Sequence, residues 1–245
     1  MSERIDDLQL NNLKIIQNPD YFCFGVDSVL LSYFATQMKN NTTVLDIGTG
    51  NGILPLLLSA KKSMKHLIGI EIQKELFELA TKNIEFNKLQ NLVDIENVNI
   101  CDAHNVFKKE SFDTIVTNPP YKKQGSGIIN DNKFVQIAKH EIKCTLEDII
   151  RESNYLLKDQ GEIYMVHRPD RIVDILALMR QYNIEPKIIQ YVHSKISQPP
   201  VLVLIQGVKN AKPFLKTLEP IIIYKDNGEY TQKIYDIYGK EPINE

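Results

Sequence analysis

Cysteine is scarce in this chain, with three in 245 residues. Cys23, Cys101 and Cys144 are odd in number, far apart in sequence and form no Cys-x-x-Cys pair. Neither a zinc site nor a disulfide framework is expected, and the reducing cytosol is the expected compartment. There is no apolar run of about 18 residues or more, so no helical membrane span is expected. Met1 to Gln9 are polar and mixed in charge, without the basic and apolar regions of a signal peptide. A positive surplus is missing as well: 29 Lys and Arg against 31 Asp and Glu leave a net charge of −2. That balance argues against a protein that grips nucleic acid over its whole surface, while leaving room for a local basic patch. The five histidines are scattered, and no metal-ligand spacing links them.

What is present is ordinary for a globular chain with a full core: 43% hydrophobic and 24% charged residues. From Val44 onward, short apolar strands alternate with amphipathic helices. Strands are expected at Val44–Ile47, Leu67–Ile70, Val93–Val98, Phe112–Thr117, Ile163–Val166, Lys187–Val192 and Val201–Val208. Helices are expected from Ile53, over Lys74–Phe86, over Thr145–Leu157 and over Asp170–Tyr182. Such alternation predicts an α/β fold with a doubly wound, mostly parallel sheet of about seven strands. Residues 1–43 form an N-terminal segment whose helix runs from about Ser28 to Met38, with Asp27 placed to cap it. Residues 44–209 are the repeating body, and 210–245 a C-terminal extension of the same domain.

Two turns carry the chemistry. The first is Asn118-Pro119-Pro120-Tyr121, directly after the buried-strand pattern Phe112–Thr117. Each proline fixes its own φ and keeps the preceding residue out of the helical region, so the turn is rigid. Neither proline donates an N–H, which leaves carbonyl oxygens and the Asn118 amide beside the flat face of Tyr121. That cup suits a planar group with an exocyclic NH2. Taken alone, Pro-Pro is more often a loop that caps a sheet edge. Lys122 and Lys123 abut the cup, where a phosphate would be met, and the Gly- and Asn-rich stretch from Lys122 to Phe134 reads as a loop beside it.

The second turn is Asp46-Ile47-Gly48-Thr49-Gly50-Asn51-Gly52, between the first strand and its helix. Glycines let a ligand approach the backbone closely, and the helix start presents N–H groups. Glu71, at the end of the second strand, can accept both hydroxyls of a ribose. The pattern departs from the dinucleotide fingerprint, because its third glycine comes one residue early. An acid just before the glycines is also unhelpful to a pyrophosphate and well placed for a cation. S-adenosylmethionine, with its amino group and sulfonium, satisfies that charge.

With these residues the chain resembles the class I S-adenosylmethionine-dependent methyltransferases. Within them it resembles the bacterial tRNA(Val) adenine-N6 methyltransferases, on Phe24–Leu31, Asp46–Gly52, Gly69–Glu71, Asp102–Ala103 and Asn118–Tyr121. Met165–Pro169 and Tyr235–Gly239 extend the likeness over nearly the whole chain. The resemblance implies a Rossmann-like fold in which the N-terminal helix covers the cofactor. It implies that Glu71 and Ile72 hold the ribose, Asp102 and Ala103 the adenine ring, and Asp46, Gly48, Thr49, Gly50 and Gly52 the methionine part. Asp27 and Asn118 also border the cofactor, although Asp27 and Asp102 have purely structural readings as helix cap and turn residue.

The implied reaction converts the cofactor to S-adenosylhomocysteine and methylates N6 of an adenine next to the anticodon. Asn118 and the carbonyl of Pro119 would hold the amine, with Pro120 and Tyr121 completing the catalytic turn. Tyr121, Lys122, Lys123 and His140 would meet the RNA. The expected protein is a cytoplasmic monomer without a metal. The same cup also fits a glutamine side-chain amide, as in the release-factor methyltransferases, which carry a helical domain ahead of the glycine motif. Ribosomal RNA methylation, a vestigial RNA-binding fold and a nicotinamide oxidoreductase are the further alternatives.

Overall fold

The computed structural model describes residues 3–19, 24–120 and 144–239. It opens with an antiparallel hairpin of β1 (Arg4–Asp7) and β2 (Lys14–Gln17), paired from Arg4–Gln17 to Asp7–Lys14. No strands are expected there from the sequence. Each is four residues long, and only Ile15 and Ile16 are apolar and buried in β2. The turn rests on Gln9, Asn11 and Asn12 in left-handed backbone, which asparagine tolerates well.

Helix α1 (Val26–Phe34) follows and tightens into a 3-10 turn at Ala35–Gln37. Its N-cap is Gly25, not Asp27. Asp27 lies inside the first turn, where its Oδ1 accepts the Ser28 N–H at 2.9 Å. A carboxylate there also favours the positive end of the helix dipole.

The repeating body runs β3 (Thr43–Ile47), α2 (Ile53–Lys61), β4 (His66–Ile70), α3 (Lys74–Phe86), β5 (Val93–Glu96), α4 (Ala103–Val106) and β6 (Phe112–Thr117). It resumes with α5 (Leu146–Leu156), β7 (Leu157–His167), α6 (Ile172–Gln181), β8 (Ile184–His193) and β9 (Pro200–Lys209). The start of α5 is sharp because Thr145 and Asp148 form a reciprocal capping box. β5 stops at Glu96, short of the expected Val98. β7 begins at Leu157, well before Ile163, and its pairing with β6 shifts register between Phe112–Leu157 and Thr114–Glu162, where Gln160 adopts left-handed backbone.

Among the described residues the sheet has nine strands, seven of useful length as expected and two of two residues each. Its order is β10–β8–β9–β7–β6–β3–β4–β5, where β10 (Lys216–Thr217) pairs with β8, as does β11 (Ile221–Ile222). β5, β4, β3, β6 and β7 are parallel, while β9 is antiparallel to both β7 and β8. One core packs α1 and α2 on one face with Val44, Leu67 and Val116, and includes Ile234 and Ile237 of α7 (Gln232–Tyr238). The other face packs Leu45, Ile115 and Ile163 against Ile149, Ile150, Ile175 and Met179 of α5 and α6. None of the described helices is long and apolar enough to cross a membrane.

The chain moves from β3 outward to β4 and β5, then returns to β6 and moves the other way. The reversal falls between β3 and β6, whose carboxyl ends are therefore the expected place for a ligand in an open α/β sheet.

Candidate active site

Both sequence-predicted turns lie at that reversal. Ile47, the last residue of β3, pairs in register with Thr117, the last of β6, and the Thr117 hydroxyl donates to the Ile47 carbonyl at 3.1 Å. The glycine loop and the Asn-Pro-Pro turn thus leave the sheet side by side.

The loop is pinned from behind. The backbone N–H groups of Gly48 and Thr49 both donate to the Ile70 carbonyl, at 2.9 and 3.0 Å. A Cβ on Gly69 would lie 2.8 Å from Thr49 Oγ1, so β4 needs glycine there for the loop to settle on it. Gly48 and Gly50 have left-handed backbone (φ 73° and 58°), and a Cβ on either would meet nothing within 4 Å. Those positions look onto open space. Gly52 has φ 83° and packs against the backbone of Ala80 on α3.

Asp46 ends up wholly buried, and neither carboxylate oxygen finds a hydrogen-bond partner among the described residues. Burial pushes its pKa up to about 7; the Thr49 hydroxyl beside it works the other way and the Glu71 carboxylate adds to the rise. Thr49 Oγ1 and Asn51 Nδ2 are likewise buried without partners among the described residues. A buried carboxylate without a hydrogen-bond partner is costly, and a cationic ligand relieves it.

Glu71 is also buried, and burial raises its pKa against the N–H groups of Gln73, Gly50 and Ile72. Its Oε2 accepts from Gly50 N at 3.0 Å and its Oε1 from Gln73 N at 2.9 Å. Each carboxylate oxygen has a second lone pair, so both stay able to take a hydroxyl. Asn97 clasps this corner by donating to the carbonyls of Glu71 and Ile72, at 2.7 and 3.1 Å. Asp102 sits exposed on a 3-10 turn after β5, and Ala103 is buried at the start of α4.

On the other side of the reversal, Pro119 is buried, Pro120 exposed and Asn118 half-buried. The Asn118 amide donates from Nδ2 to Ser28 Oγ of α1 at 3.3 Å. Tyr121, Lys122, Lys123 and His140 lie outside the described residues.

Sequence reasoning missed the braces. Asn83, fully buried on α3, accepts from Ile16 N at 2.7 Å and donates to the carbonyls of Ile16 and Asn51 at 3.0 and 2.9 Å. One side chain therefore ties the N-terminal hairpin to the glycine loop. The available signal was an amide on the apolar stripe of an amphipathic helix, beside Leu79, Ala80 and Ile84. Cysteines far apart in sequence also meet: ligand atoms of Cys101, Cys144 and Asp148 all lie within 4.8 Å of one another. Asp148 is committed there to the cap of α5 and to Arg151 at 2.7 Å, and that guanidinium opposes a metal cation.

A family model described as the methyltransferase small domain matches residues 12–181. The chain belongs to that family. The methyltransferase small domain so defined takes in both turns, from the hairpin to the end of α6. Among curated relatives, the tRNA1(Val) (adenine(37)-N6)-methyltransferases of Porphyromonas gingivalis and Shewanella baltica are 27% and 28% identical to it. Those matches cover 84% and 87% of this chain, and 83% and 89% of the relatives. Among solved structures, a predicted O-methyltransferase from Agrobacterium tumefaciens matches with a TM-score of 0.70 at 17% identity, over 87% of this chain and 95% of that one. A geranyl diphosphate C-methyltransferase from Streptomyces coelicolor, solved with Mg2+, geranyl diphosphate and S-adenosyl-L-homocysteine, matches with a TM-score of 0.55 at 12% identity, over 75% and 80%. These structural likenesses establish a shared methyltransferase fold.

Proposed function

We propose that this protein is an S-adenosylmethionine-dependent methyltransferase that modifies N6 of an adenine in tRNA, at the position named for its curated relatives, adenine 37 of tRNA1(Val). The observation that carries the proposal is the pairing of Ile47 with Thr117, which sets an acid-and-glycine cradle beside an Asn-Pro-Pro turn.

The cradle fits S-adenosylmethionine on its own chemistry. It has an orphaned buried carboxylate at Asp46, open space over Gly48 and Gly50, and a second carboxylate at Glu71 with lone pairs to spare. Asp46 and Thr49 would face the charged methionine part, Glu71 and Ile72 the ribose, and Asp102 with Ala103 the adenine ring. When bound, the cofactor supplies a methyl group activated by a sulfonium.

This chain's residues prepare the acceptor. An adenine amine is a poor nucleophile because its lone pair is conjugated into the ring. Hydrogen bonds from its two N–H groups to the Asn118 carbonyl oxygen and the Pro119 carbonyl favour a pyramidal nitrogen and hold it in place. Alignment of this kind contributes on the order of 7–11 kcal/mol at best. A methylated amine is strongly acidic, so its extra proton leaves without a dedicated base, and no histidine is required. An aromatic at Tyr121 would stack on the extruded base, worth roughly 1–3 kcal/mol. Every group invoked comes from one chain, so a monomer suffices, and no step calls for a metal. With tRNA as its acceptor, the enzyme would work in the cytoplasm.

Two measurements test the reading. S-adenosylhomocysteine should raise the melting temperature where NAD does not, and the reverse pattern would point to an oxidoreductase. Nucleoside mass spectrometry of tRNA treated with enzyme and cofactor should reveal N6-methyladenosine; methylation of guanine instead would overturn the acceptor.

A further inference from the structure

Helix α1 is packed as a rigid wall. Val29, Leu30, Leu31 and Phe34 are all buried, and Phe34 meets Tyr164 of β7 edge to face with ring centroids 5.6 Å apart. One turn beyond Ser28, the Ser32 hydroxyl donates to the Val29 carbonyl and accepts from Lys61 of α2. Ser28 itself is 3% exposed. A hydroxyl in such a place is costly unless it is hydrogen-bonded. Its side-chain contact to the cup is the Asn118 amide, with Nδ2 donating to Oγ at 3.3 Å across 90 residues of sequence. The Ser28 N–H is meanwhile held by Asp27, so the serine is anchored at the backbone too.

We propose that Ser28 is a positioning residue for the methyl transfer. A carboxamide is a fork with a donor arm and an acceptor arm. With Nδ2 donating to a hydroxyl on a buried helix, Ser28 helps to set the plane of the Asn118 amide, and with it the direction in which Oδ1 accepts an amine. This rests on the reading of Asn118 as the amine-binding group. It assigns the N-terminal helix a task in turnover that is separate from covering the cofactor.

The test compares Ser28→Ala and Ser28→Thr with the parent enzyme in single-turnover methylation of saturating tRNA, alongside S-adenosylhomocysteine titration and thermal melting. Ser28→Ala should slow the transfer step about 10- to 100-fold, the scale of a small misplacement of a reacting group, with cofactor affinity changed less than about twofold. Ser28→Thr keeps the hydroxyl and should recover most of the rate. In an Asn118→Ala background, Ser28→Ala should cost nothing further, because the two act as one unit. Should Ser28→Ala fail to fold, Ser28→Cys keeps the volume with a much weaker acceptor and should give the same loss. An unchanged rate, or a loss that adds fully to that of Asn118→Ala, overturns the inference. If Asn118→Ala itself leaves the rate unchanged, the fault lies in the reading of the cup instead.

Discussion

Thr117 donates its hydroxyl to the Ile47 carbonyl at 3.1 Å, and each of these residues is the last of its strand. One residue further along, the two strands lead into Gly48 and Asn118. The glycine loop and the Asn-Pro-Pro turn are thereby held at one level of the sheet by strand register. A transfer reaction needs that fixed relation more than it needs any acid or base.

If the Asn118 amide acts on the acceptor, Asn118→Ala should cut the transfer rate by about 10²-fold or more, while S-adenosylhomocysteine affinity stays within about threefold. Single-turnover kinetics and calorimetry read the two quantities separately. Parallel loss of both would make Asn118 chiefly a cofactor residue.

Asp46 makes stability depend on pH. Its carboxyl pKa is raised to about 7 in the fold, above the unfolded value of 3.8. The contribution is fully present below about pH 4 and is lost as pH rises through 7. Asp46→Asn should therefore stabilise the ligand-free protein at pH 8, by on the order of 2–4 kcal/mol, and leave it little changed at pH 4. The same variant should weaken cofactor binding, since it removes the charge that a cationic ligand meets. Melting curves at the two pH values check the first part; equal shifts at both would refute it.

Gly69→Ala should damage the glycine loop without touching a ligand. The new Cβ would stand 2.8 Å from Thr49 Oγ1 and 3.0 Å from Ile95 Cδ1. Overpacking of this kind costs about 1–3 kcal/mol, and the loop is the part that must move. Cofactor affinity should fall more than tenfold. A variant that binds as tightly as the parent would show that the loop does not depend on this contact.

Asn83→Ala should free the hairpin from the glycine loop. The backbone N–H and carbonyl of Ile16 and the carbonyl of Asn51 would each lose a buried partner, for a total of roughly 2–4 kcal/mol. At about 2–4 °C per kcal/mol for a chain of this size, the melting temperature should drop by roughly 5–15 °C. A drop of one degree or less would contradict the role assigned to Asn83.

Much of the frame was legible in the sequence. Runs such as Val44–Ile47 and Phe112–Thr117 are buried on both faces and read as parallel strands, and Asp46, Gly48 and Asn118 fall at strand ends where open α/β sheets bind ligands. The residues that were not legible act through distant contacts. Asn83 is an unremarkable helical residue until Ile16 and Asn51 arrive beside it. Ser28 reads as part of a helix start until Asn118 meets it from 90 residues away. The hairpin is not legible because β1 and β2 are four residues each, too short for alternation to register. The helix starts two residues before the position that Asp27 would cap, since Gly25 in extended backbone can begin it without a side-chain cap.

The most direct test of the cup is the destination of the methyl group. Enzyme and methyl-labelled S-adenosylmethionine would be incubated in parallel with tRNA, ribosomal RNA and total protein, and a tRNA1(Val) transcript with adenine 37 replaced by guanine would serve as control. Label should appear in tRNA as N6-methyladenosine and vanish with the replaced base. Label confined to protein, as N5-methylglutamine, would contradict the account.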